Sequence, residues 1–288
     1  MWWTILIVFV SIVVLAALSV AVTNALFAWR TNREAERLFK KQSVAGQRVV
    51  TEEDLVVLPE PMQRYLRYTG VIGKSRIDVV KVKQEGDIRQ APGQRWMSFE
   101  AEQYFAVGSP AFIWQARIKA FPLFSIRARD KYVDGKGNMH IKLPPFLTIS
   151  DVRGREIDQG SLLRYLAEMV WFPSAYLSSY IRWDAIDADS CKMIAEHQGM
   201  TVSAILNFSK EGEIINLIAM RYREISGHYY LEEWSPSMLK YRELNGVKVP
   251  TQIEVVWKLS SGDFPCIRIK VADIEYDNFP IPGALGGA

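Results

Sequence analysis

The sequence predicts a mainly β protein: an N-terminal transmembrane helix followed by a curved antiparallel sheet, an open or half barrel, with a few covering helices. Three observations lead there. An uncharged apolar run opens the chain, a period of two in apolar residues takes over from Ile77, and short turn-rich links separate the segments that carry it. Most Trp, Tyr and Phe lie beyond Arg30, where large rings suit sheet faces.

From Ile5 to Phe27 no residue is charged. As a helix this run reaches about 35 Å, enough to cross a hydrocarbon core of about 30 Å. Trp2, Trp3 and Trp29 fall where interfacial aromatic belts are expected. The competing reading is a cleaved signal peptide with Ser19 and Ala21 as its small-x-small site, but the basic n-region is missing and the run is long for one. The expected organisation is an anchor over 1–29, a basic juxtamembrane neck over 30–50, a single antiparallel β-rich domain over 51–277 and a flexible tail over 278–288. Arg30, Arg33, Arg37, Lys40 and Lys41 follow the helix and no basic residue precedes it, which by the positive-inside rule places the domain in the cytoplasm. Mixed with Glu34 and Glu36, the same residues read equally well as the wet face of an amphipathic neck.

Thr51, with Glu53 and Asp54 behind it, predicts a hydroxyl-capped helix start. Prolines 59 and 61 before Met62–Tyr68, and Gly70 after it, predict a second short helix. Strands are then expected at 77–89, 95–107, 112–121, 124–133 and 138–149. Phe112, Trp114, Ala116 and Ile118 take one face of the third, and Gln115, Arg117 and Lys119 a wet one. The fourth sets Phe124, Ile126 and Ala128 opposite Arg127, Arg129 and Lys131, with Asp130 interrupting its apolar face. Between 159 and 180 the period turns helical through Leu162, Leu163, Leu166, Ala167 and Val170, until Pro173 breaks it. Strands resume at 182–186, 192–197, 201–208, 213–222, 239–243, 251–259 and 266–276, with Gly199, Gly212 and Asn245-Gly246 as turns. Such short links suit antiparallel neighbours.

A net charge of +3, much of it beside the anchor, argues against a nucleic-acid binder. Cys191 and Cys266 lack CxxC spacing and read as buried thiols, with a single disulfide left open; His140, His197 and His228 stand apart from any metal-ligand spacing. GxSxG, P-loop and GxGxxG motifs are absent, so no cofactor is expected and an enzyme of a familiar class is disfavoured.

The stretches RYLRYTGVIGK, WMSFEAEQYF, LLRYLAEMVWFPSAYL with RWDAID, and YRELNGVKVPTQIEVVWKL resemble a group of bacterial proteins known as a domain of unknown function, over about Pro59 to Tyr276. The closing pattern, NGVKVP followed by two long strands, is also similar to the half-barrel of bacterial lipoprotein carriers and outer-membrane lipoprotein receptors. That second resemblance implies a concave apolar cavity for an acyl chain or other lipid, and an extracytoplasmic domain, against the charge rule.

Arg164 and Glu168, four apart on a helix with Trp171 a turn further on, either line a pocket or fix the helix to the sheet. Trp96, Trp114, Trp183, Trp234 and Trp257 form either a cavity wall or ordinary core. Glu100 and Glu102 share a strand face, as an acid/base pair or as solvated carboxylates. Asp130, with Glu100 or Arg221 as a cross-sheet neighbour, is either a functional buried charge or half of an internal salt bridge. The leading expectation is a membrane-anchored binding module for a lipid or other apolar ligand. Its ligand residues are drawn from Trp96, Glu100, Trp114, Asp130, Arg164, Glu168, Trp171, Trp183 and Arg221. The alternatives are a membrane-tethered hydrolase-like enzyme using the carboxylates and arginines, and an assembly protein that recruits partners through a sheet edge.

Overall fold

A computed structural model describes residues 1–40, 48–120, 125–143, 147–277 and 279. The readings made for Lys41, Phe124 and the remainder of the 278–288 tail lie outside them. Helix α1 (Trp2–Lys40) leads through a 3-10 turn at Glu53–Leu55 to α2 (Glu60–Thr69). A first meander follows: β1 (Val79–Ile88), β2 (Met97–Ala106), β3 (Ala111–Ile118), β4 (Ile126–Val133), β5 (Lys136–Leu143) and β6 (Leu147–Val152). Helix α3 (Arg155–Glu168) and two 3-10 turns, Met169–Trp171 and Pro173–Leu177, carry the chain to a second meander. Its strands are β7 (Ile181–Asp187), β8 (Ser190–His197), β9 (Met200–Phe208), β10 (Ile214–Ile225), β11 (His228–Leu244), β12 (Val247–Leu259) and β13 (Gly262–Tyr276).

Among the described residues the thirteen strands form one antiparallel half-barrel, in the order β6-β5-β4-β3-β2-β1-β13-β12-β11-β10-β9-β8-β7. The last strand closes on the first, with Val80 opposite Tyr276 and Ile88 opposite Ile267. The two meanders thus grow outward from the central β1·β13 pair, and α3 returns across the concave face from one outer edge to the other. Two-residue turns with both φ positive, Asp134-Gly135, Gln198-Gly199, Ser226-Gly227 and Asn245-Gly246, set four of the hairpins. That turn geometry matches the twist of the strands it joins.

Several expected boundaries move. The strand read at 138–149 is two strands, β5 and β6. The segment read as 239–243 is the end of a 17-residue strand, β11. Pro236 lies inside it, where the β10 ladder has no paired residues between Asn216↔Ser237 and Ala219↔Trp234, while pairing to β12 runs through Pro236↔Val255. A residue without an N–H is tolerated where the ladder on its side opens. The helix read at 159–180 begins at Arg155 and gives way to 3-10 turns after Glu168, yet Leu162, Leu163, Leu166, Ala167 and Val170 are all buried as its stripe requires. The Thr51 hydroxyl makes no N-cap bond; instead the Thr51 backbone N–H donates to the Asp54 carboxylate at 3.1 Å. Helix α2 ends as anticipated, with Gly70 at φ 71°.

The start of the expected neck lies against the sheet. Residues 30–40 continue α1 without a break, and the helix lies on the convex side of the sheet. Ala35, Leu38 and Phe39 pack there against Tyr104, Ala106, Ala111, Ile113 and Phe279. The face of β3 and β4 that reads as wet is therefore partly covered. Gln115 donates to Asn32 (3.3 Å), Arg127 to Asn24 (3.1 Å) and Arg129 to Glu34 (3.0 Å). Period two separates the two faces correctly but cannot report which distant helix lies on one of them.

The limbs of the half-barrel are also joined across the concave side. His197, at the end of β8, bonds through Nδ1 to the Tyr132 hydroxyl of β4 (2.9 Å) and through Nε2 to Ser109 in the β2–β3 turn (3.2 Å). Burial lowers the His197 pKa below its ordinary value of 6.5, against the opposing effect of Asp134. The unfolded chain therefore binds more protons as pH falls through that value, and stability drops with it. Thermal melts between pH 8 and 5 should show Tm falling below about pH 6.5. The fall should be shallower in His197→Asn; an identical slope in both would remove His197 from the effect.

Candidate functional site

Asp130 occupies a concave-face position of β4 between the buried Ala128 and Tyr132. An isolated carboxylate there carries a large desolvation cost. Its partner is Arg164 of α3, whose Nη1 lies 2.6 Å from Asp130 Oδ2, not Glu100 or Arg221. Arg164 Nε also donates to Glu168 Oε1 at 2.9 Å, one turn along the same helix. The side chains of all three are nearly enclosed, at 15%, 5% and 9% exposure for Arg164, Asp130 and Glu168.

The cluster continues into the sheet through two amides. Gln103 Nε2 donates to Glu168 Oε2 (2.6 Å), Gln84 Nε2 donates to Gln103 Oε1 (3.0 Å), and Trp114 Nε1 donates to Gln84 Oε1 (3.0 Å). The Arg164 guanidinium also stacks 5.1 Å from the Phe112 ring and 5.0 Å from Trp114. Burial opposes the Arg164 charge, but Glu168 and Asp130 outweigh it and hold its pKa above the ordinary value. Burial raises the Glu168 carboxyl even though Arg164 and Gln103 favour its ionised form.

The seating of α3 is specified at backbone level. Gly137 of β5 lies beneath the helix, where a Cβ would come within 2.6 Å of Ser161 Oγ and 2.7 Å of the Ile157 carbonyl oxygen. The Asp158 carboxylate accepts the Gly137 N–H at 2.7 Å. At its end the helix passes into the 3-10 turn of Trp171, which is wholly buried and donates through Nε1 to Pro250 O (3.2 Å).

Between this layer and the concave face is a cavity of about 200 Å³. Its walls are aromatic and aliphatic, from Phe99, Trp114, Trp171, Trp234, Trp257, Met238, Ile253 and Ile269 among others, and Asp130, Arg164, Glu168, Arg221 and Gln84 supply its polar groups. The cavity exceeds the ~150 Å³ apolar void that admits benzene in an engineered protein.

Six of the nine anticipated residues thus meet at one place: Trp114, Asp130, Arg164, Glu168, Trp171 and Arg221. The other three do not. Trp96 is held between the guanidinium groups of Arg89 (4.4 Å) and Arg268 (4.6 Å), outside the cavity lining. Glu100 points to the convex side, exposed, and its bond to Lys119 (3.1 Å) lowers its pKa. Trp183 packs on Tyr176 and donates to its carbonyl at 3.4 Å. Gln84 and Gln103 were missed, although each stands in an apolar register, after Val80 and Val82 and between Ala101 and Phe105. Cys191 and Cys266 are free and buried, and Cys266 joins the cavity wall, where burial pushes its thiol up to about 11.

A family model matches residues 48–269, from the start of the folded region into β13. The chain belongs to DUF6544, a family of unknown function. No curated protein matches it. Solved structures resemble the DUF6544 chain at low identity. A domain ascribed to outer membrane lipoprotein sorting from Vibrio parahaemolyticus is 7% identical, with TM-score 0.37 over 69% of this chain and 85% of that one. A LolA superfamily protein from Nitrosomonas europaea is 10% identical, with TM-score 0.36 over 80% and 92%. A DUF1329 family protein from Desulfovibrio piger is 12% identical, with TM-score 0.36 over 76% and 94%.

Removing Arg164 alone leaves Asp130 and Glu168 buried without their cation, so Arg164→Leu should cost about 3–5 kcal/mol in chemical denaturation. The triple change Asp130→Leu, Arg164→Met, Glu168→Met should cost less than that single change. The reverse ranking would show that the cluster is not a compensated unit.

Proposed function

We propose that this protein is a membrane-anchored binding module that holds a lipid-derived or other apolar ligand in the cavity between α3 and the concave face. The observation that carries the reading is the cavity itself: an aromatic-walled space kept open inside an otherwise filled half-barrel. Pockets of this kind, apolar with a few converging polar groups, are the usual form of small-molecule sites.

The first helix supports the membrane part of the reading. It is long and apolar enough to cross a bilayer. Its contacts with the sheet begin near Asn24, leaving Trp2–Val22 free, about 31 Å of helix against a hydrocarbon core of about 30 Å. Where it meets the sheet, a second pocket of about 450 Å³ is lined by Arg30, Arg33, Arg37, Arg129, Lys142 and Arg153 against Glu34 and Asp151. That excess of cations sits at the depth expected of anionic headgroups. Because one helix makes both sets of contacts, the anchor would hold the half-barrel close against the bilayer.

A second reading, a membrane-tethered hydrolase-like enzyme, is favoured by the gathering of Asp130, Glu168, Arg164 and Arg221 in one cavity. Against it, both carboxylates are engaged by Arg164, and Glu100 lies on the other face.

Native mass spectrometry with lipid extraction, on the full chain purified from its own membranes, should show a co-purifying small amphiphile. Ala167 lines the cavity from α3, so Ala167→Phe should fill it and release that mass while leaving the circular dichroism spectrum unchanged. A clean apo mass for the unaltered chain would sink the binding reading.

A further inference from the structure

The two arginines of the cavity are not equivalent. Arg164 is in direct ion pairs with both Asp130 and Glu168. Arg221 projects from β10 and bonds only through Nε, to the Gly160 carbonyl oxygen at 3.0 Å. Among the described residues no carboxylate lies within ion-pair distance of Arg221, and its two terminal amino groups have no hydrogen-bond partner. Its guanidinium lies 4.8 Å from the Trp234 ring centre and 5.9 Å from that of Trp257. Trp234 is only 4% exposed, and its indole N–H is buried without an acceptor. A buried cation without a direct ion pair and an orphaned N–H beside it are each costly in a protein interior, even with Asp130 and Glu168 acting on Arg221 from a distance. Both line the same cavity.

The placement of Arg221 is specified from the helix side as well. Gly160 is buried within α3, and a Cβ there would come 3.1 Å from Arg221 Nε and 3.5 Å from Nη2. Glycine is unfavourable in a helix interior. Here it lets the guanidinium lie against the helix backbone. Burial pushes the Arg221 pKa down to about 10, although Asp130 and Glu168 act through space in the opposite direction.

We infer that the cavity is built for a monoanionic amphiphile, with its carboxylate between the Arg221 guanidinium and the Trp234 indole N–H and its hydrocarbon body against Phe99, Met238, Ile253 and Ile269. Two donors side by side call for an acceptor group in the ligand, and a cavity that already holds the carboxylates of Asp130 and Glu168 beside its two arginines disfavours a doubly charged phosphate monoester. The planar Arg fork suits the two carboxylate oxygens. This inference rests on the cavity's being a ligand site, and it adds the chemical class of the ligand.

The test is isothermal titration of the full chain in lipid nanodiscs, corrected with empty nanodiscs, using octanoate, 1-octanol and octyltrimethylammonium as probes. Octanoate should bind about tenfold or more tightly than octanol, the scale of a charge-assisted hydrogen bond. In Arg221→Gln the two should bind alike, at the octanol level, which also shows that the variant is folded. Trp234→Phe should reduce the preference in part. The comparison of octanoate with octanol on the unaltered chain decides the matter even if a variant fails to fold. Equal binding of those two, or tightest binding of octyltrimethylammonium, overturns the carboxylate site and leaves the apolar-ligand reading standing. Binding of none of the three overturns both.

Discussion

Asp130 stands where the alternation of β4 reserves a place for an apolar side chain, and the covering layer is organised around neutralising it. Arg164 can reach it only if α3 lies across the concave face at one rotation and one depth. The 2.6 Å contact fixes that rotation, while Gly137 beneath the helix and Asp158 on its N–H fix the depth. Glu168 joins the same guanidinium and passes the hydrogen bonding on to Gln103, Gln84 and Trp114. A buried ionic cluster contributes little to net stability compared with apolar packing, but it distinguishes one arrangement from many. Here the arrangement that satisfies it is the one in which α3 spans the half-barrel, against β4 and β5 of one limb and β9 and β10 of the other.

That selection matters because of the topology. Two meanders, each stabilised by neighbouring hairpins, meet only at β1·β13, where residues far apart in the chain must pair. Pairing across so long a loop is entropically costly and is favoured once other contacts hold the two limbs together. Helix α3 packs on β4 and β5 of one limb and on β9 and β10 of the other, and His197 ties β8 to Tyr132 of β4. The insertion between the meanders is thus their cross-brace, and the space it leaves over the middle of the sheet is the cavity.

Much of this is legible in the residues and some is not, for physical reasons that differ by element. The faces of β3 are plain because Phe112, Trp114, Ala116 and Ile118 alternate without interruption. The length of β11 is hidden, since Pro236 reads as a break when only local pattern is considered, and its toleration depends on an opening in the neighbouring ladder. The covering of Gln115 and Arg129 by α1 is invisible to any local pattern, because polar side chains answering polar side chains look the same as polar side chains in water. Within the site, Arg164 and Glu168 declare themselves by their spacing of four with Trp171 a turn further on, and Asp130 as a charge in an apolar register. Gln84 and Gln103 carry the same signal more quietly, being neutral. Trp96, just before β2, and Trp183, on the edge strand β7, show that indole content alone does not locate a cavity.

The hydrogen bonding of the cavity divides its polar groups into two kinds. From Trp114 through Gln84, Gln103 and Glu168 to Arg164 and Asp130, donors and acceptors meet one another, so this side of the cavity is self-satisfied and acts as a rigid wall. Arg221 and Trp234, on strands of the other limb, are joined by stacking; Arg221 has no direct ion pair and the Trp234 N–H has no acceptor. A core selected for stability alone would remove such donors or give them a partner, since either change relieves an uncompensated desolvation cost. Their position beside a wall already complete, with a helix glycine making room for the guanidinium, is the arrangement of a cavity whose remaining hydrogen bonds are made by what enters it.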